Sequence, residues 1–274
     1  MTLSVNTNAG ALVALQNLTS TESQLSQTQN EVSTGLAISQ PSDNGAIWAI
    51  AQNQRSDSSA LDSVKQSLQR VQSTVDVATS AGTTVSDLLN QLKSDALSAS
   101  DTSIDSDSRS ALNASFTSLL GQITKVVGSA SFNGANLING GGNLAALANA
   151  SGTSQLTVQA ENLTLGGGTI SVTAGTTILT ATNASSALTA INSSITAVNN
   201  SLAKLGTSST ALGDQLTFVG NLQDTIDTGV GNLVDANLAK ESAQLQSLQT
   251  KQSLGIQALS IANSSTSSLL SLFR

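Results

Sequence analysis

Cysteine and histidine are both absent from the 274 residues of this sequence. Without cysteine the chain has no disulfides, thiolate nucleophiles or thiolate metal ligands, and without histidine it lacks the commonest general base and transition-metal ligand. Most familiar enzyme mechanisms are thereby excluded, so we expect no catalytic residues, no metal site and no cofactor. A hydrolase built from Ser, Asp and Lys is the remaining enzymatic alternative.

Aromatic residues are scarce, at 2% of the chain, although 39% of the residues are apolar. The bulk that usually anchors a compact core must therefore come from Leu, Val, Ile and Ala. This composition favours long, thin helix pairs over a thick globule. A narrow bundle buries a small share of its surface, so its stability should depend on neighbouring subunits.

Positive charge is also scarce, with ten basic residues and a net charge of −7. These residues are scattered, which argues against nucleic acid as a partner, since that requires clustered Lys and Arg. No apolar run approaches the roughly 18 residues of a membrane span. The first basic residue is Arg55, so no positively charged region of a secretory signal is visible. We expect no membrane partner and, if the chain is exported, a route without a cleaved signal peptide.

Three long apolar series indicate helices that pack as a bundle. Apolar residues recur in alternating steps of three and four between Leu61 and Ala96 and again over residues 112–126. The same steps continue over residues 188–233, where Ser209 and Gln223 are the polar members. Asp105, Ser106 and Asp107 are candidate N-caps for the second helix. The residues predicted to pack the bundle are Leu61, Val64, Leu68, Val71, Val75, Leu89, Leu92, Leu112, Phe116, Ile123, Ile195, Val198 and Leu202.

Three glycines interrupt the third series at intervals of seven residues. Gly206, Gly213 and Gly220 therefore fall on one stripe of the predicted helix. Glycine permits close backbone approach but costs about 1 kcal/mol relative to alanine inside a helix. We interpret the stripe as a packing surface, and a break or kink near Gly206 is the alternative.

Both ends of the chain carry amphipathic helices with thin apolar faces. Few charges are available for stabilising pairs along each helix, so each helix alone should be marginal in water. Pro41 is expected to break the first helix from the next one. The predicted apolar stripes of the two ends are Leu12, Leu15, Leu18, Leu25, Val32, Leu238, Leu245, Leu248, Leu259, Leu269, Leu272 and Phe273.

The segment between the second and third helices is almost free of charge, with Glu161 as its only charged residue. It is rich in Gly, Thr, Ser and Asn, and it contains alternating runs at 156–160 and 169–173 separated by three glycines. These runs predict short β-strands or hairpins. The glycine runs at 140–142 and 166–168 lack the Lys-Ser/Thr that follows a phosphate-binding loop, so we do not interpret them as one.

An acidic turn separates the first two predicted bundle helices. Asp101, Asp105 and Asp107 lie in it, and clustered carboxylates are the oxygen ligands that Ca²⁺ prefers. The spacing lacks the glycine and the distal glutamate of a calcium-binding loop. A solvated turn between helices is the interpretation we adopt.

Several strings resemble bacterial flagellin of the short alphaproteobacterial type. They are SVNTNAGALVALQNL, STGLAISQPSDNGAIWAIAQNQRSD, SFNGANLI, GVGNLVDANLAKESAQLQSLQTKQSLGIQALSIAN and LLSLFR. The resemblance implies a mainly α fold, in which paired termini form a coiled coil (D0) and the long helices form a bundle (D1) with a small β-hairpin-like insertion. The implied boundaries are 1–40 for the N-terminal D0 helix, 41–131 for the first D1 helices, 132–183 for the β-rich segment, 184–234 for the last D1 helix and 235–274 for the C-terminal D0 helix.

The resemblance implies a structural subunit that polymerises into the extracellular flagellar filament for motility. Its implied partners are other flagellin subunits in a homo- or hetero-polymer, the flagellar export apparatus, an export chaperone, and the filament cap and junction proteins. A hook–filament junction protein, which shares the terminal helices, is the alternative, although LVDANLAKESAQLQ and LLSLFR favour flagellin. Relatives of this type are often O-glycosylated on their outward face, and the corresponding candidates are Thr153, Ser154, Thr169, Ser171, Thr173, Thr176, Thr177 and Thr180.

Overall fold

The computed structural model describes residues 7–271, with side chains through residue 264. Within this part the predicted mainly helical fold with a small β-hairpin is confirmed. The elements are α1 (Ala9–Thr34), α2 (Gly45–Ser100), α3 (Ser106–Ser129), β1 (Leu144–Leu147), β2 (Gln155–Val158), α4 (Ala181–Val234) and α5 (Leu238–Ser271). The strands β1 and β2 pair antiparallel, with Leu144 opposite Val158 and Leu147 opposite Gln155.

Two helix boundaries show how local chemistry sets the elements. Gly35 adopts a left-handed conformation (φ 72°) and its N–H donates to the Glu31 carbonyl at 2.9 Å, which ends α1. Pro41 lies in the loop between α1 and α2, so the predicted break between the two helices is present, although α1 already ends at Thr34. Of the three predicted N-cap candidates for α3, Asp105 is the cap, because its carboxylate accepts from the Ser108 N–H at 2.6 Å.

The chain divides into two compact units, and α2 and α4 contribute to both of them. Unit 1 contains the residues up to 56 and those from 225 onward. Besides the pair α1 and α5, it holds a small core in which Ala51, Val230 and Val234 are buried. The loop after α1 joins this core through a hydrogen bond from the Ala37 N–H to the Val234 carbonyl at 2.7 Å.

Unit 2 comprises residues 57–224 and holds the larger core. Its fully buried side chains come from α2, α3, α4 and the segment between α3 and α4, and Phe116 of α3 is the largest of them. The hairpin is fixed to α2 by a hydrogen bond from the Leu147 N–H to the Ser67 hydroxyl at 3.2 Å. Glu161 is fixed to α4, since it accepts from Ser201 at 2.8 Å and from Lys204 at 3.0 Å.

The predicted strand at residues 169–173 is absent from the structure described here. Ile170 and Val172 are buried, as their alternation suggested, but the Ser171 N–H between them donates to the Ser194 hydroxyl of α4 at 3.0 Å. This run therefore packs on a helix and not on a second strand. The partner of β2 is β1, whose sequence LAAL carries little β-propensity and was not predicted as a strand.

Of the three stripe glycines of α4, Gly220 faces Lys65 of α2, whose Cε atom would lie 3.9 Å from an added Cβ, whereas Gly206 and Gly213 do not pack within the chain. A Cβ atom built at Gly206 or Gly213 would meet nothing within 4 Å, so the packing interpretation was wrong for these positions. The alternative of a break is also wrong, because α4 continues without interruption from Ala181 to Val234. The close approach occurs instead at Gly82 of α2, where a Cβ would lie 2.7 Å from Cδ2 of Leu202.

Candidate polymerisation surfaces

The terminal helices α1 and α5 form an antiparallel pair within unit 1. Near the start of α1, the Asn8 side chain donates to the Ala262 carbonyl at 2.8 Å. Near its end, the Gln244 side chain of α5 lies 3.5 Å from the Thr28 hydroxyl. Between these points a Cβ atom built at Gly255 would lie 3.2 Å from Cδ1 of Leu18, so the two helices approach closely.

The seam between α1 and α5 is thin. Leu25 and Leu248 are its buried leucines, and Thr28 and Glu241 are buried beside them. Four further residues of the predicted stripes are half-buried, namely Leu18, Val32, Leu245 and Leu259. Leu269, Leu272 and Phe273 fall outside the residues whose side chains are described.

The remaining predicted stripe residues face outward. Leu12 is 57% exposed, Leu15 is 49% exposed and Leu238 is 49% exposed. They are joined by four large apolar side chains that the sequence reasoning missed, since these lie off the heptad stripe: Val13, Leu254, Ile256 and Ile261. A signal was available, because each is a large aliphatic residue on a helix whose exposed positions are mostly small or polar. Unit 1 thus carries apolar surface that the pairing of α1 and α5 leaves uncovered.

A cleft runs along this outward surface between the start of α1 and the later part of α5. Leu12 and Leu15 line it from α1, and Leu259 lines it from α5. Thr7, Asn8 and Asn263 are its polar lining residues. Exposed apolar side chains bordered by polar ones are typical of a surface that binds another polypeptide.

Two carboxyl groups meet in the α1–α5 seam. Glu31 of α1 forms a side-chain hydrogen bond with Glu241 of α5, which also lies 3.7 Å from the Lys240 ammonium group. Burial raises the pKa of Glu31 above its ordinary value, and the hydrogen bond to Glu241 and that residue's charge raise it further. A hydrogen bond from the Gln27 side chain, at 2.9 Å, opposes part of this increase. Glu31 therefore holds a proton more readily than an isolated glutamate would.

The predicted bundle residues lie in unit 2. Most are buried, and these are Leu61, Val64, Leu68, Val71, Val75, Leu89, Leu92, Phe116, Ile123 and Val198. Leu112, Ile195 and Leu202 are half-buried. Leu202 nevertheless packs against α2, because its Cδ2 atom covers Gly82.

The predicted glycosylation candidates lie along the segment between α3 and α4, where most are exposed. Four of them use their hydroxyl groups in hydrogen bonds with neighbouring residues, namely Thr153, Thr173, Thr176 and Thr180. Ser154, Ser171 and Thr177 are exposed and have no hydroxyl hydrogen bond among the described residues. Thr169 is half-buried.

Membrane spans and metal sites are both missing from the described part of the chain. No helix among residues 7–271 is long and apolar enough to cross a membrane. Within the same residues, no group of acidic side chains has the arrangement of a metal site.

Long helices with exposed aliphatic side chains are typical of proteins that associate with other chains, and comparison with known proteins identifies the family. The family model of the bacterial flagellin N-terminal helical region matches residues 5–143, and that of the C-terminal helical region matches residues 188–273. The chain is 55% identical to flagellin FljM of Caulobacter vibrioides over 99% of this chain and 98% of the relative. It is 37% identical to a flagellin of Brucella melitensis over 99% of both chains.

The chain therefore belongs to the bacterial flagellin family, and it is a structural subunit of the flagellar filament. A solved chain assigned as a flagellar hook-associated protein of Vibrio parahaemolyticus shares its fold, with a TM-score of 0.56 and 14% identity. That match covers 70% of this chain and 100% of the solved one. The family models and the relatives confirm the resemblance of the sequence to flagellin.

Proposed function

We propose that this flagellin polymerises by burying the outward apolar faces of α1 and α5 against neighbouring subunits. The observation that carries the proposal is the set of exposed aliphatic side chains on these two helices. Complete burial of a leucine side chain stabilises a protein by about 1.5–3 kcal/mol. Leu12 and Leu15 of α1 are about half exposed, so about half of this stabilisation could still be gained in a subunit contact. A contact of this kind would supply the stabilisation that the thin α1–α5 seam lacks.

Replacing Leu12 and Leu15 together by alanine tests this proposal. Alanine keeps the helix propensity, so the change removes apolar surface without weakening α1 itself. A loss of about 2 kcal/mol per subunit contact should raise the critical concentration for seeded polymerisation roughly 30-fold. Circular dichroism of the monomer checks that the helices remain folded.

Gln29→Ala is the matched control, since Gln29 is an exposed residue of α1. This variant should polymerise as the unchanged protein does. If the double leucine variant polymerises at the unchanged critical concentration, the outward face of α1 is not a subunit contact and the proposal fails.

We also infer that the subunit reaches the cell exterior through the flagellar export apparatus, with a chaperone that covers the terminal helices until the cap adds the subunit to the tip. Exposed Leu254, Ile256 and Ile261 on α5 support this inference, because such surface favours aggregation unless a partner covers it. A catalytic role is not proposed, and the absence of His and Cys from the sequence supports this. Secretion by a strain lacking the export apparatus would contradict the inference.

Glycosylation of the segment between residues 151 and 183 is a further part of the proposal. Ser154, Ser171 and Thr177 are the preferred positions, because their hydroxyl groups are exposed and free of hydrogen bonds within the described structure. Sugars there would hydrate a surface that has little charge of its own. The intact mass of native filament protein, followed by peptide mapping, tests this. A mass equal to that of the unmodified sequence would exclude the glycans.

A further inference from the structure

Three Asn-Gly pairs occur in the chain, at Asn44, Asn133 and Asn139. In such a pair the glycine offers no side chain to hinder its own backbone nitrogen, which can attack the neighbouring carboxamide carbon. The three pairs share this intrinsic chemistry but stand in different structural settings. The settings decide which pair is free to react in the folded subunit.

Asn133–Gly134 is the pair whose two reacting groups are both free of hydrogen bonds among the described residues. It lies in a tight turn closed by two hydrogen bonds between Phe132 and Ala135, at 2.9 and 3.0 Å. Its side chain is exposed and makes no hydrogen bond among the described residues, and the Gly134 N–H likewise has no acceptor there. Asn133 is also the one non-glycine residue of the described chain with a positive φ, at 50°.

Asn139 is also followed by glycine, but here both reacting groups, the Asn139 carboxamide and the Gly140 N–H, make hydrogen bonds. Its side-chain oxygen accepts from the Gly141 N–H at 3.0 Å. The attacking nitrogen, that of Gly140, donates its hydrogen to the Glu161 carbonyl at 3.2 Å. Both bonds must open before the nitrogen and the carboxamide carbon can meet.

Asn44 is intermediate, because only one of its two reacting groups makes a hydrogen bond among the described residues. Its side-chain oxygen accepts from the Ile47 N–H at 3.2 Å in the first turn of α2. Reaction there requires loss of this cap. The Gly45 N–H, in contrast, has no acceptor among the described residues.

We propose that Asn133 is a site of spontaneous deamidation in the folded subunit, through a cyclic imide formed with the Gly134 backbone nitrogen. That nitrogen forms a bond to Cγ of Asn133, and the carboxamide nitrogen leaves as ammonia, taking the proton of the Gly134 N–H. Water then opens the ring at either carbonyl, which gives aspartate or isoaspartate. No oxidant, reductant or enzyme is required for this sequence of steps.

The product changes the local surface of unit 2. Asn133 lines a cleft together with Phe132 and Arg70, and the Arg70 guanidinium forms no ion pair among the described residues. A carboxylate at position 133 places a negative charge on the same cleft as this unpaired cation. The isoaspartate product also adds a methylene group to the main chain of the turn.

The test is a time course of the purified full-length subunit in mildly alkaline buffer, with peptide mapping and enzymatic isoaspartate methylation as the two readouts. The rate at Asn133 should exceed that at Asn139 by roughly tenfold or more, since Asn139 must first open two hydrogen bonds. Asn44 should react at an intermediate rate. In denaturant the rates at Asn133 and Asn139 should become similar.

Two controls make the outcome decisive. Asn133→Gln should remove most of the isoaspartate signal of the folded protein, because glutamine forms the corresponding ring far less readily. Equal rates at Asn133 and Asn139 in the folded subunit would overturn the proposal. So would a preference for Asn133 that persists unchanged in denaturant, since it would then come from the sequence and not from the fold.

Discussion

Replacing Gly206 and Gly213 by alanine should stabilise unit 2. Both glycines lie inside α4, and a Cβ atom at either position would meet nothing within 4 Å. Alanine is favoured over glycine inside a helix by about 1 kcal/mol, chiefly because it restricts the unfolded chain. The two positions are separated by about two helical turns, so their effects should add to about 2 kcal/mol.

Gly82→Ala is the matched comparison, because it makes the same exchange inside α2 at a crowded position. The new Cβ would lie 2.7 Å from Cδ2 and 3.6 Å from Cγ of Leu202, and 3.6 Å from Cδ1 of Leu163. Overpacking of this kind costs about 1–3 kcal/mol. This cost offsets the gain in helix propensity, so Gly82→Ala should leave stability unchanged or lower it.

Thermal unfolding of the monomer, followed by helical circular dichroism, measures both effects. For a unit of this size the double α4 variant should raise the melting temperature by about 4–8 °C. The Gly82 variant should not raise it. A destabilised double variant would show that the stripe packs in solution after all, and a Gly82 variant as stable as the double would refute the overpacking argument.

Two smaller perturbations address the seam and the turn between α2 and α3. The pKa of Glu31 is raised in the folded protein. The stability that Glu31 contributes to the α1–α5 pair is therefore fully present below the ordinary pKa of glutamate, and it is lost as the pH rises through the raised pKa. Glu31→Gln should therefore protect the terminal helices from proteolysis at neutral pH, and their protection should no longer depend on pH. Protection equal to that of the unchanged protein would refute this. Arg109 donates through Nε to the Ala99 carbonyl at 3.0 Å and through Nη2 to the Asp101 carbonyl at 2.8 Å. Arg109→Lys cannot reproduce this fork, and denaturant unfolding should show a loss of about 1–2 kcal/mol, whereas Arg70→Lys should be neutral.

The helices could be predicted from the sequence because their signal is local and periodic. The series from Leu61 to Ala96 alternates steps of three and four, and α2 follows it without interruption. The cap at Asp105 was equally accessible, since an aspartate before an apolar series has a defined local role. Glu161 could also be singled out from the sequence, because it is the one charged residue of the central segment. Its partners Ser201 and Lys204 could not be identified before the fold was known.

The central segment could not be predicted because its partners are distant in sequence. Alternation at residues 169–173 indicates which side chains are buried, and Ile170 and Val172 are indeed buried. It does not indicate whether the covering element is a strand or a helix, and here it is α4 through Ser194. The sequence LAAL of β1 has weak β-propensity, and it forms a strand because it pairs with β2 and because the Leu147 N–H donates to Ser67.

The uncovered leucines of unit 1 follow from the geometry of a helix pair. Leu18 and Leu25 are seven residues apart and share the face that α5 covers. Leu12 and Leu15 also belong to α1, yet both remain half-exposed. Two helices share one interface, so aliphatic residues on a second face of α1 stay in solvent unless a further chain covers them. A third element of the same chain would have stabilised the isolated subunit, whereas a neighbouring subunit makes the same stabilisation available only on assembly.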